Sequence, residues 1–106
     1  HEAAEAPTAK RAVEQLIREI RDFEGTLDEA SEVGINMVPF GPSIVIHVTE
    51  IGFYQPSLIV ILGATADGQA VRLVQHLSQL SLLMIKVPRL DQSSPRRPIG
   101  FHDAAG

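Results

Sequence analysis

The chain has 106 residues, a net charge of −4 and no cysteine, with 44% apolar and 21% charged residues. That is the size of one domain with a single core, and the balance of an ordinary globular chain, which excludes collagen-like and wholly disordered classes. Disulfide frameworks, thiolate nucleophiles and cysteine-ligated metal sites are excluded too, which fits a cytoplasmic location, and no apolar run approaches the roughly 20 residues of a membrane-spanning helix.

Charge is unevenly spread. Residues 1–50 hold ten acids and four bases, and residues 51–106 three acids and five bases. An acid-rich first half argues against coating nucleic acid or anionic lipid through bulk charge.

Residues 1–7 are small and acidic, end in proline, and lack an initiator methionine or a basic-then-apolar signal pattern. They read as a processed end and a flexible lead-in. Thr8 can cap a helix on which Val13, Leu16, Ile17, Ile20, Phe23 and Leu27 form one apolar stripe. Gly25 weakens that helix, but Leu27 keeps the stripe, so it is expected to continue to about Ala30.

Val33 to Val38 is a short β-prone run closed by the turn-forming Pro39-Phe40-Gly41-Pro42. Ser43 to Tyr54 carries the strongest strand signal, and Leu58 to Leu62 follows after the Gln55-Pro56-Ser57 turn. Connections this short predict an antiparallel three-stranded meander. Asp67 is then expected to cap a second helix over residues 69–87, with Ala70, Leu73, Val74, Leu77, Leu80, Met84 and Val87 buried and Pro88 ending it. Leu90 to Pro98 reads as a loop, Ile99-Gly100-Phe101 as a short C-terminal edge strand, and residues 103–106 as a tail. The expected fold is α+β, a single domain over residues 8–102.

Strand two is apolar on both faces when its residues simply alternate: Ile44, Ile46 and Val48 on one, Val45, Ile51 and Phe53 on the other. If two helices cover one face of a three-stranded sheet, the other face calls for a partner, a second copy being the simplest; the alternative, one helix on each face, requires no self-association.

Motifs with chemistry are sparse. Gly63 to Ala70 has the glycine spacing of a phosphate-cradling loop, but Gln69 and Ala70 stand where the signature needs lysine and a hydroxyl. His47, His76 and His102 show none of the pair spacings of metal ligands. On a helix, Ser78 and Ser81 point away from His76, so no catalytic residue can be placed and no cofactor is expected.

"EVGINMVPFG" (Glu32 to Gly41), "LVQHLSQLSLL" (Leu73 to Leu83) and "RRPIGF" (ending at Phe101) resemble a family of small bacterial proteins whose domain has no assigned function. The resemblance spans about residues 13–101; it implies a bacterial source and a compact α+β domain and supplies no reaction.

The first functional reading is a non-enzymatic module that self-associates as a homodimer and acts as a structural or adaptor component, with a further protein partner open to it. The second is a small-ligand or enzymatic pocket, with His47, Thr49, His76, Gln75 and Gln79 as ligand or partner contacts. The third is nucleic-acid binding through Lys86, Arg89, Arg96 and Arg97, against which the scarcity of aromatics for base stacking weighs. A membrane partner is not expected.

Overall fold

The computed structural model describes residues 8–104, so the lead-in and the last two tail residues lie outside the described residues. Thr8 does cap a helix: its hydroxyl accepts from Arg11 N–H at 3.2 Å, and α1 runs Ala9–Glu24. Val13, Leu16 and Ile20 are buried on the expected stripe, each contributing about 1.5–3 kcal/mol by leaving water. The helix start is also fixed from outside, because Ala9 N–H donates to Pro56 O at 2.7 Å.

The helix does not continue to Ala30. Gly25 N–H still donates to Arg21 O, but Thr26 N–H turns back to Phe23 O at 3.0 Å and the Thr26 hydroxyl donates to the same carbonyl. The cost of glycine in a helix outweighs one more apolar residue, and Leu27 reaches the core from the turn instead.

Six strands follow: β1 (Ser31–Met37), β2 (Ile46–Tyr54), β3 (Leu58–Ala64), β4 (Ala70–His76), β5 (Leu82–Pro88) and β6 (Gly100–Asp103). They form one sheet in the order β4-β3-β2-β1-β5, with every neighbouring pair antiparallel and β6 added parallel to β2. The sheet curls into a half-barrel, and α1 packs against β1, β2 and β3.

The architecture is therefore mostly sheet with one helix, and the predicted two-helix, three-stranded α+β arrangement is wrong. The segment predicted as helix 69–87 is β4, a 3-10 turn at Leu77–Gln79, and β5. Its apolar residues also satisfy a period of two. Val71 and Leu73 on β4, and Leu82 and Met84 on β5, pack on the core, while Val74 and Leu83 are exposed. What decides between the periods is that β3 and β1 would otherwise each present an unpaired edge; β4 fills one and β5 the other. Asp67 caps no helix and lies in the β3–β4 turn, where the Thr65 hydroxyl donates to its carboxylate and lowers its pKa. The predicted short C-terminal strand at 99–101 exists as β6 at Gly100–Asp103, paired with β2 alone.

A β-bulge corrects the apolar pattern of strand two. Val48 pairs with Gly63 and Glu50 with Leu62, leaving Thr49 as an extra residue. Side chains alternate along a strand, so one added residue reverses the alternation beyond it. Ile46 and Val48 before the bulge and Ile51 and Phe53 after it thus join the same helix-facing core. The two-faced apolar strand was a consequence of counting straight through the bulge.

Candidate functional site

The sheet forks. β1 pairs with β2 only at Gly34↔His47 and Ile35↔Ile46. Further along the same edge of β2, β6 takes over from Glu50↔Gly100 to Phe53↔Asp103. Between the diverging start of β1 and the start of β6 lies a cavity of about 580 Å3, walled by the loop that connects β5 to β6.

His47 sits at the crotch of this fork and is 5% exposed. Its Nδ1 lies 2.6 Å from Glu32 Oε2 on β1. The same oxygen accepts from Leu90 N–H at 3.2 Å. An ionised carboxylate only accepts, so Nδ1 carries the hydrogen and Nε2 is left as the ring's second polar atom. Nε2 has no hydrogen-bond partner among the described residues, and His47 is one of the residues lining the cavity.

The connecting loop is held down by its arginines. Arg89 donates through Nε to Glu29 O at 2.7 Å and through Nη1 to Asp91 O and Ser94 O. Arg96 Nη1 donates to Asp28 O at 3.2 Å and to Ser31 O at 2.9 Å. Gln92 Nε2 adds bonds to Ala30 O and Arg89 O. These guanidinium bonds tie the β5–β6 loop to itself, to the α1–β1 connection at Asp28 O and Glu29 O, and to the start of β1 at Ser31 O.

Asp91 organises the loop from within. Its Oδ1 accepts from Ser93 N–H at 2.9 Å and from the Ser93 hydroxyl, and its Oδ2 from the Ser94 hydroxyl at 2.9 Å. The Ser93 hydroxyl first, with Ser93 N–H and Ser94 after it, lowers the Asp91 pKa to about 2.

The sequence-predicted residues separate into two places. His47 and Thr49 line the cavity together with Arg89, Arg96 and Arg97, so two of the five expected ligand contacts and three of the four expected basic residues converge on one site. His76 is elsewhere. His47 pairs with Ala64 and His76 with Leu58, opposite ends of β3, roughly 20 Å apart at about 3.3 Å per residue. His76 instead accepts from Ser78 N–H at 3.1 Å and pairs with the Ser78 hydroxyl at 2.8 Å; the expectation that Ser78 points away from it fails with the helix that carried it. Gln79 is exposed in the turn, and Gln75 lies on the core side of β4 with its Oε1 buried and unpartnered among the described residues.

Lys86 is apart from the cavity, 3.5 Å from Asp28 across an exposed pair. The Ser31 hydroxyl, and then the Lys86 charge, hold the Asp28 carboxyl below its usual pKa. Glu32 is the member of the site that sequence reasoning missed. A lone acid on the face of β1 opposite Val33, Ile35 and Met37 was the available signal, lost because the expected strand begins at Val33, two residues after Ser31 where β1 starts.

Among the described residues, no group of three or more His, Asp or Glu side chains is placed to hold a metal ion, and no helix is long and apolar enough to cross a membrane. No curated protein and no solved structure matches the chain. The family of unknown function DUF6173 matches residues 5–102. The chain, matched over nearly its whole length, belongs to that family.

Proposed function

We propose that the chain is a small-ligand-binding module whose site is the cavity at the sheet fork. The observation that carries this is His47: an imidazole held at Nδ1 by Glu32, in a buried residue that lines the cavity, with no protein partner for Nε2 among the described residues. A cavity of this size, with a few convergent polar groups, has the dimensions of a small-molecule site. The dyad leaves Nε2 able to bond a ligand in either protonation state, as acceptor or as donor.

The test is a fragment screen read by the His47 ring signals in solution NMR. Compounds that move them, and that lose this effect in Ala64→Phe, where a phenyl ring enters the cavity next to His47, support the reading. If every binder instead moves signals on β4 or α1 and leaves His47 still, this is not the ligand site.

A second reading, self-association of a non-enzymatic structural or adaptor module, draws on the two ends of the sheet. β4 and β5 each have one edge without a strand partner among the described residues, and they expose Val74 (52%) and Leu83 (56%). Exposed edges carrying apolar side chains favour pairing with another strand. Light scattering on a sizing column should give a dimer that Leu83→Lys dissociates; a monomer at every concentration ends this reading.

A further inference from the structure

We propose that the ligand of the His47 cavity is a small organic anion, whose carboxylate or phosphate group is taken by Arg97 and the open side of Arg96. This rests on the cavity being a ligand site and adds the chemical class of its occupant.

The argument is an account of hydrogen-bonding capacity at the cavity. Two of its three carboxylates already accept hydrogen bonds. Glu32 accepts from His47 and Leu90 N–H and Asp91 from Ser93 and Ser94, while Glu50 lies 3.8 Å from His102 Nδ1, beyond hydrogen-bond distance. The donors are in surplus. Arg97 has no hydrogen bond or ion pair among the described residues, and Arg96 uses only Nη1, leaving Nε and Nη2 undonated. A guanidinium presents five N–H groups in a planar fork that matches carboxylate and phosphate oxygens.

The partners of Arg89 and Arg96 strengthen the case. Both donate to backbone carbonyls. Carbonyls are neutral, so these bonds fix the guanidinium groups without cancelling their charge. The loop therefore carries Arg96 into the cavity wall pre-oriented, which reduces the ordering cost of binding.

The experiment titrates the full chain with benzoate, inorganic phosphate and benzamide, following the Arg97 Nε–H and His47 ring signals by NMR. Benzamide matches benzoate in shape and lacks the charge. Saturable shifts with benzoate or phosphate, and not with benzamide, are expected, and whichever anion saturates identifies the group recognised. Arg97→Gln should weaken binding about tenfold through loss of a charge-assisted pair. Arg18→Gln, an equal charge change on the exposed face of α1, should leave binding unaltered. Equal binding of benzamide and benzoate overturns the anion class and leaves the cavity as a ligand site. Linear shifts, identical in both variants, overturn the proposal as surface screening, and if neutral fragments also leave His47 still, the ligand-site reading falls with it.

Discussion

His47 Nδ1 stands 2.6 Å from Glu32 Oε2, so one hydrogen bond spans β2 and β1 where the strands begin to part. It joins the two walls of the cavity and fixes the imidazole orientation in the same contact. Glu32→Ala removes the acceptor for His47 and for Leu90 N–H together. Denaturant unfolding should show a loss of about 1–3 kcal/mol, and a double-mutant cycle with His47→Ala should show coupling above about 0.5 kcal/mol. Additive losses would mean the bond contributes nothing beyond its parts.

Glycine tolerance should differ sharply between the ends of the β3–β4 hairpin. A Cβ on Gly63 would lie 2.2 Å from the His47 carbonyl oxygen, so relief requires backbone movement at the fork. Gly68 meets nothing within 4 Å but has φ +86°. Gly63→Ala should cost about 3 kcal/mol or more, Gly68→Ala only about 1–2 kcal/mol. Thermal melts of the two variants rank them directly.

Deleting Thr49 removes the bulge and reverses the alternation of β2 beyond Val48. Either Ile51 and Phe53 leave the core or the Glu50 pairing with Gly100 is lost. The deletion should abolish cooperative unfolding, whereas Thr49→Ala, which keeps the residue count and loses only the bond to Leu62 O, should cost about 0.5–1.5 kcal/mol. A well-dispersed NMR spectrum from the deletion would refute the account of the bulge.

Arg89→Lys should release the β5–β6 loop while leaving the sheet intact. A lysine cannot reproduce the forked donation to Glu29 O, Asp91 O and Ser94 O. Amide exchange at Leu90 and Ser93 should accelerate, with β3 amides unchanged. Uniform acceleration across the sheet would show that the arginine supports the whole fold.

The same loop should respond to acid in a defined direction. Asp91 has its folded pKa lowered from 3.8 to about 2 by Ser93 and Ser94. Its contribution is therefore present above the unfolded value and lost as pH falls from about 4 through about 2. Ser93→Ala should raise the Asp91 carboxyl pKa toward 3.8, read by carbon NMR of the side chain; an unchanged value would exclude the Ser93 hydroxyl as the main cause.

The first helix was legible because several independent signals agree there: a Thr8 cap, a stripe of period 3.6 and charged residues opposite. Its end was misjudged because Leu27 reaches the core equally well from a turn. Residues 70–87 failed for a different reason. Leu73, Leu77, Leu80 and Met84 fit a helical stripe, while Val71, Leu73, Leu82 and Met84 fit two strands, and local pattern cannot separate them. The edges of β3 and β1, a tertiary demand, make the choice. At the site, His47, Thr49, Arg89, Arg96 and Arg97 all stood out individually. Their convergence did not, because it depends on a parallel strand returning from far along the chain.

That return has a kinetic meaning. Tyr54↔Leu58 and Ala64↔Ala70 join neighbours in sequence, whereas Glu50↔Gly100 closes a loop of about fifty residues. Local pairings form early and distant ones late, so the β2-β3-β4 meander is expected to assemble first and the β1–β5 and β2–β6 pairings, each spanning about fifty residues, later, with φ-values near zero in β5 and β6 as the signature. A nascent chain would then hold the β2-β3-β4 part of its core before it holds a cavity, whose walls come from β1 and the β5–β6 loop.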